Sequence, residues 1–333
     1  MAGSASSARP LEGGRRRDVQ VMPLRSVTAV VVTWNSAADI EPCLAALFAA
    51  DGEIPGCLDI IVVDNDSGDR TVEIVRGRFP RVRLVQAHRN LGFGAAANIG
   101  IAEATGDAVL LINPDAHLES GALGAMLTHL ESEPDLASVA PMHAANGKPA
   151  VSPGRRLPTL AAAVTDGTIV ERFMPNLPAL RRYYMRDGAD DDPEWLIGAC
   201  LCFRRSALAE TGGFDVGYEM YAEEVDLLRE LGLRGWRCGV TRDASVRHRG
   251  GASSEQDPVS RERRFFHSRY RYVTKTWGWP MAVLMRLFVA ISGVLRLLEQ
   301  FARLLRPRAR ADARRELRQI AAVTLWQWTG WRR

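Results

Sequence analysis

Residues 213–226 read Gly-Phe-Asp-Val-Gly-Tyr-Glu-Met-Tyr-Ala-Glu-Glu-Val-Asp, and five of them, Asp215, Glu219, Glu223, Glu224 and Asp226, are acids. No Lys or Arg falls between Arg205 and Arg229 to neutralise them. Carboxylates this closely spaced repel one another, a condition that suits a general base, a metal ligand or the capture of a cationic partner. At helical spacing Glu223 and Asp226 share a face, and Glu224 is turned about a quarter turn away. The plain alternative is an acidic first turn favoured by the helix dipole.

Further polar clusters stand at the ends of apolar runs. Thr33-Trp34-Asn35 closes the run from Val27, Asp64-Asn65-Asp66-Ser67 the run from Leu58, and Asn113-Pro114-Asp115 the run from Asp107. Residues 89–100 read Arg-Asn-Leu-Gly-Phe-Gly-Ala-Ala-Ala-Asn-Ile-Gly, small side chains that let a ligand approach the backbone and the free N–H groups of a helix start. This is not a dinucleotide fingerprint, because Ala97 stands where the third glycine of G-x-G-x-x-G belongs. A lone Asp-Asn or Asn-Pro-Asp turn needs no function to explain it. The last cluster is His248 with Gly250 and Gly251.

The elements that must position these clusters follow from periodicity. Val27–Thr33, Leu58–Asp64, Val82–Gln86, Asp107–Ile112 and Ala137–Pro141 predict strands, separated by helical patterns over Ala37–Ala50, Thr71–Phe79, Ala95–Ala104 and Gly121–Glu131. That alternation predicts an α/β fold: an open, mainly parallel sheet with helices on both faces. Such sheets bind ligands beyond the carboxyl ends of their strands, where the polar clusters fall. Trp195–Arg204 and Trp236–Val240 return to strand character, and Glu223–Leu233 is helical. Residues 143–192, rich in Pro, Arg and Asp, read as a loop region with short helices.

Composition narrows the classes. A hydrophobic fraction of 47% is that of a globular core. Five cysteines, without C-x-x-C spacing, argue against a zinc site or a disulfide framework and suit a reducing cytoplasm. The net charge of +4 conceals an asymmetry: residues 261–333 hold seventeen Lys and Arg against four acids, so the remainder is net negative. Residues 1–25 are rich in Ser, Gly and Arg and predict disorder rather than a secretory signal. Trp277–Leu298 is apolar and close to spanning length, but Arg286 and Arg296 within it would cost several kcal/mol at mid-bilayer. Arg303, Arg306, Arg308, Arg310, Arg314, Arg315 and Arg318 follow, then Trp326, Trp328 and Trp331. This pattern predicts a basic amphipathic helical region lying on an anionic membrane surface, with a helix packed on the main domain as the alternative. A nucleic-acid partner is not expected, since the aromatic residues accompany an apolar stretch. The expected organisation is a disordered 1–25, an α/β domain over 26–260 and a C-terminal helical region over 261–333.

In order along residues 27–255, the motifs resemble those of a family 2, GT-A fold inverting glycosyltransferase, of the rhamnosyltransferase-like branch that builds bacterial cell-surface glycans. The resemblance implies transfer of a sugar from a nucleotide diphosphate donor to an acceptor hydroxyl. It places Thr33, Asn35, Asp64 and Asn65 at the nucleotide, and Asn90, Gly92 and Asn98 along the nucleotide-sugar. Where the family usually has two Asp around one residue, this chain has Asn113-Pro114-Asp115. Asp115 is then the leading ligand of Mg²⁺ or Mn²⁺, with Asn113 nearer the ribose or the metal. His248 lies near the diphosphate and metal, a structural histidine being the alternative. The family pattern Glu-Asp-Val-Asp appears as Glu223-Glu224-Val225-Asp226, so Glu224 holds the base position with one extra methylene. Glu223 is a rival base, and Asp226 orients the helix or a cationic neighbour. The resemblance favours dTDP-L-rhamnose as donor and a lipid-linked glycan as acceptor, with UDP-galactofuranose or a UDP-hexose as alternatives. Residues 143–192 suit an acceptor-side flap, and the cysteine usage with the basic, aromatic tail places the protein in the cytoplasm, peripheral to the inner face of the cell membrane. Two other classes compete. A nucleotidyltransferase would want a Gly-rich loop with Arg and Lys after the first strand, which Thr33-Trp34-Asn35-Ser36 lacks. A non-catalytic sugar-nucleotide-binding subunit is suggested by the Glu-for-Asp change.

Overall fold

The computed structural model describes residues 23–145, 148–185, 192–249, 257–304 and 310–330. The expected disorder of 1–25 lies, apart from its last three residues, outside them, as do Gly250, Gly251, Arg306, Arg308 and Trp331. In chain order the first elements are β1 (Val27–Thr33), α1 (Ile40–Ala50), β2 (Leu58–Asp64), α2 (Thr71–Arg78), β3 (Arg83–Gln86), α3 (Phe93–Glu103), β4 (Ala108–Ile112), β5 (Ala116–Leu118), α4 (Ala122–Ser132) and β6 (Leu136–Ala145). Then come β7 (Lys148–Val151), β8 (Gly154–Arg155), α5 (Leu160–Thr165), α6 (Ile169–Phe173), α7 (Pro178–Tyr183), β9 (Trp195–Leu196), β10 (Cys200–Arg204), α8 (Arg205–Thr211), α9 (Glu223–Leu233), β11 (Arg237–His248), α10 (Pro258–Trp277), α11 (Trp279–Leu304) and α12 (Arg310–Thr329). The described residues form two compact units, one of 23–157 with 192–249, the other of 158–185 with 257–330.

In the first unit the sheet order is β3-β2-β1-β4-β10-β6-β11-β5, with β7 on β6. The first four expected strands make a parallel half: β1 pairs in parallel with β2 and β4, aligning Thr33 with Asp64 and Val31 with Ile112, while the fifth, β6, lies in the other half. β10 returns antiparallel to both β4 and β6, so the other half is mixed. Strand side chains alternate faces. On one face Ala29, Val31, Ile60, Val62, Leu110 and Ile112 join Ile40, Leu44 and Leu47 of α1 and Leu123 and Met126 of α4 in one buried cluster. Burying each large aliphatic side chain contributes roughly 1.5–3 kcal/mol. On the other face Val30 meets α3 so closely that a methyl on Gly100 would run into its side chain. Ala96 and Ala97 are fully buried there. The small residues of α3 therefore answer to helix–sheet packing as well as to any ligand.

The second unit buries Ala163, Phe266, Tyr270, Val273, Met285, Val289 and Val323 in its own core. Residues 143–192 thus resolve into β7, β8 and three short helices, and those helices belong to this unit. The two arginines inside the apolar stretch are both satisfied. Arg286 Nε and Nη2 donate to the carbonyls of Gln327 and Trp326 at 2.8 and 3.1 Å, and its guanidinium lies over the Tyr270 and Trp326 rings. Arg296 pairs with Glu262 at 3.2 Å. Another side of α11 exposes Leu284, Leu287, Ile291, Val294, Leu295, Leu298 and Phe301, a stripe at helical spacing. By length and composition α11 is long and apolar enough to cross a membrane.

Candidate active site

At the carboxyl ends of β1 and β2 the aligned Thr33 and Asp64 bond directly, Thr33 Oγ1 donating to Asp64 Oδ1 at 3.0 Å. Asp64 Oδ2 accepts from the Ser67 N–H at 3.1 Å, and the Ser67 hydroxyl accepts from the Asn35 N–H at 2.9 Å. Asn35 takes the left-handed conformation, φ 50°, and its Oδ1 accepts from the Gly68 N–H at 2.8 Å. Asn65 reaches the next loop: its Oδ1 accepts from the Leu91 N–H at 2.8 Å, and its Nδ2 donates to Asn90 Oδ1 at 3.2 Å and to the Gly92 carbonyl at 3.3 Å. Thr33, Asn35, Asp64, Asn65, Asn90 and Gly92 thus form one network over adjacent strand ends. Asn98, one turn further along α3, has both ends of its amide on the Phe214 backbone at 2.8 Å each.

Asp115 lies in the turn between β4 and β5. Its Oδ1 is 3.3 Å from His248 Nε2, because β11 runs antiparallel to β5 and sets His248 opposite Ala116. Around this pair the structure gathers Asp39, His117, His143 and Arg249. Arg249 pairs with Asp39 at 2.7 Å and donates its N–H to the Asp115 carbonyl at 3.2 Å. The His143 ring stands edge-on to His248 with centroids 5.8 Å apart. Burial pushes the Asp115 carboxyl up, but the hydrogen bond and charge of His248, with Arg249, outweigh it and hold the group below the usual carboxylate range. Burial dominates at Asp39, which is raised despite Arg249. Burial, then His248 and Arg155, push His143 down to about 4, so it is neutral at physiological pH. Asn113 is held beside the pair, its N–H donating to the Ala199 carbonyl at 2.9 Å.

No group of three or more His, Cys, Asp and Glu side chains gathers as a metal-binding set among the described residues. The Asp115–His248 pair offers one hard oxygen and one imidazole nitrogen, a donor set that fits Mn²⁺ or Mg²⁺ when a diphosphate supplies the remaining oxygens.

The acidic segment folds as a strained entry into α9. Tyr221 and Ala222 both have positive φ, 72° and 63°, which costs non-glycine residues free energy. Val225, Leu227, Leu228 and Leu231 bury the apolar side of the helix, and that anchoring draws its first turn inward. Glu223 and Asp226 are buried, while Glu224 is partly exposed with its Oε2 inaccessible. Oε2 of Glu223 and of Glu224 has no hydrogen-bond partner among the described residues. Burial pushes Glu224 up to about 7, and burial with the Glu224 charge raises Glu223 well above the carboxylate range. Two glycines leave room beside this pair. A methyl on Gly94 would come within 3.8 Å of Glu223 Cβ, and one on Gly198 within 3.6–3.7 Å of the Glu224 side chain. Gly198 precedes Ala199, the anchor of Asn113, so the acid pair and the Asp115 turn share a neighbour.

Sequence reasoning passed over Asp39, His117, His143, Gly198 and Arg249. Two of them stand close to a motif, His117 two residues from Asp115 and Arg249 next to His248, but no local spacing marks any of the five.

The Glycosyl transferase family 2 model matches residues 28–211. N-acetylglucosaminyl-diphospho-decaprenol L-rhamnosyltransferase of Mycobacterium tuberculosis is 32% identical over 269 residues, covering 77% of this chain and 86% of its own. Poly-beta-1,6-N-acetyl-D-glucosamine synthase of Staphylococcus aureus is 23% identical over 229 residues, covering 67% of this chain and 50% of its own. Among solved structures, the mannosyltransferase PcManGT from Pyrobaculum calidifontis in complex with GDP-Man and Mn²⁺ superposes with a TM-score of 0.52 at 17% identity, over 92% of this chain and 88% of that one. This likeness establishes the GT-A architecture of the sheet and its helices.

Proposed function

This chain belongs to glycosyl transferase family 2, and we propose from that premise that it moves L-rhamnose from dTDP-rhamnose to a hydroxyl of a lipid-linked glycan, inverting the anomeric carbon. The observation that carries the reading is the Glu224 carboxyl, an inward-facing base with an unpartnered oxygen, raised to about 7 by burial. A base of that acidity accepts a proton near neutral pH. Glu224 takes the acceptor hydroxyl proton as the oxygen bonds to C1. The bond from C1 to the phosphate oxygen breaks on the opposite face, and its electron pair leaves with the nucleoside diphosphate. Glu223 stands beside Glu224 as the rival base, its carboxyl raised by burial and by the Glu224 charge. Asp226 holds the first turn of the helix.

Thr33, Asn35, Asp64 and Asn65 receive the nucleotide, and Asn90 and Gly92 line the sugar diphosphate. Asp115 and His248, with Asn113 beside them, would hold a divalent ion, which supplies charge neutralisation at the diphosphate when bound. The relative acts, by its name, on a decaprenol-linked substrate, which supports a lipid-linked acceptor. The exposed stripe of α11 and the exposed Arg314, Arg315 and Arg318 of α12 support a protein resting on the anionic inner face of the membrane.

The test is nucleoside diphosphate release by the purified chain with Mg²⁺ or Mn²⁺ and a panel of dTDP- and UDP-sugars, with and without membrane lipid extract. Lipid-stimulated release from dTDP-rhamnose alone is the expected result. Release from a UDP-hexose or UDP-galactofuranose would replace the donor. Tight donor binding with no release from any donor would make the chain a binding subunit.

A further inference from the structure

We infer that Asn98 is a positioning residue: its amide latches the segment that sets the base helix to the helix that opens at the donor loop. The inference rests on the transferase reading above. The Asn98 Nδ2 donates to the Phe214 carbonyl and its Oδ1 accepts from the Phe214 N–H, each at 2.8 Å, across 116 residues of sequence. Both ends of the amide are engaged by one backbone unit, the way a neighbouring strand would engage it. The approach needs Gly213, whose φ is 87° and whose place leaves no room for a methyl against Asn98 Oδ1.

The latch continues toward the catalytic helix. The Phe214 ring is buried edge-on to Phe93, with centroids 5.9 Å apart. The Phe93 N–H donates to the Glu219 carbonyl at 3.3 Å, and a methyl on Gly92, φ 83°, would lie 2.5 Å from that same oxygen. Residues 213–219 are therefore clamped along the first two turns of α3 and the loop before it. Only then does the chain pass through the left-handed Tyr221 and Ala222 into Glu223 and Glu224. Two consecutive left-handed residues persist only where their surroundings over-determine them. The clamp supplies that, so the backbone that lines the donor loop also sets where Glu224 points.

The experiment uses the full chain with Asn98→Ala, and Gly213→Ala as a second variant that attacks the latch from the other side. Three quantities are read: amide hydrogen exchange over 213–222, the dissociation constant for dTDP or UDP, and kcat. The expected pattern is exchange at least tenfold faster over 213–222 with α3 unchanged, a nucleotide dissociation constant within about twofold of wild type, and kcat lower by tenfold or more. A nucleotide dissociation constant raised tenfold with kcat intact would place the amide on the nucleotide and overturn the inference. Unchanged kcat and unchanged exchange in both variants would overturn it too. Should Asn98→Ala fail to fold, Gly213→Ala carries the same split. A wild-type chain that turns over no donor defeats the transferase reading instead, and exchange over 213–222, which needs no substrate, still decides the latch.

Discussion

Glu224 faces two opposing influences. As part of the first turn of α9 it gains from the helix dipole, worth about 0.3–1 kcal/mol. Burial works the other way and is larger: a rise from 4.5 to about 7 corresponds to roughly 3 kcal/mol at about 1.4 kcal/mol per tenfold change in acidity. Burial therefore decides the protonation state. If Glu224 is the base, kcat rises with pH through about 7 and levels above it, and Glu224→Gln lowers kcat by about 10²–10⁴ with donor affinity nearly unchanged. Full activity in that variant would move the base to Glu223. The same burial has a stability consequence. The folded state holds this proton more tightly than the unfolded chain does, so the contribution is fully present below about pH 4.5 and is lost as pH rises through about 7. Glu224→Gln should accordingly match wild type in thermal unfolding at about pH 4 and melt higher at about pH 8; equal melting at both would mean the carboxyl is not buried. At Asp115, substitution by Asn should weaken nucleoside diphosphate binding by tenfold or more in Mn²⁺ and leave binding in chelator unchanged, as calorimetry would read.

Elements serve two purposes at once here. The small residues of α3 resemble a ligand-binding loop, yet Ala96, Ala97 and Gly100 face β1 and β2 as packing surface. Gly100→Ala should destabilise the fold by about 1–3 kcal/mol through overpacking against Val30, read as a lower urea midpoint, while Kd for nucleotide is retained. An unchanged midpoint would mean that α3 can slide on the sheet. β11 carries the second example. It pairs with β6, shifts register between Thr241 and Ser245, and continues to pair with β5. A bulge re-aims the strand beyond it, and in this case the re-aimed end delivers His248 to Asp115.

The molecule as a whole separates its tasks between two units. The net acidic sheet unit holds the candidate chemistry, and the helical unit holds the basic and apolar surface. Cutting the chain before α11 is a poor test of membrane binding, because Met285, Val289 and Val323 form one core with Phe266 and Val273 of α10. Ile291→Asp with Leu298→Asp alters only the exposed stripe. That pair should keep the thermal midpoint and abolish co-sedimentation with anionic vesicles, whereas wild type should bind them and be released progressively by salt. Retained sedimentation of the pair would remove α11 as the membrane face.

The sequence alone determined the strands of the parallel half, the polar turns at their ends, the helical start of the acid pair and the asymmetric tail, because each is written in short-range periodicity and composition. It also carried the family, since the motifs recur in order along one stretch. Tertiary structure alone decided how β11 brings His248 to Asp115, that Gly198 flanks Glu224, that Asn98 holds Phe214, and that 158–185 joins the C-terminal helices. Those facts depend on the register of antiparallel strands and on close approach between segments that lie well apart in the chain, 116 residues in the case of Asn98 and Phe214. Hydrophobic pattern marks which face of an element is buried, and only packing decides what it is buried against.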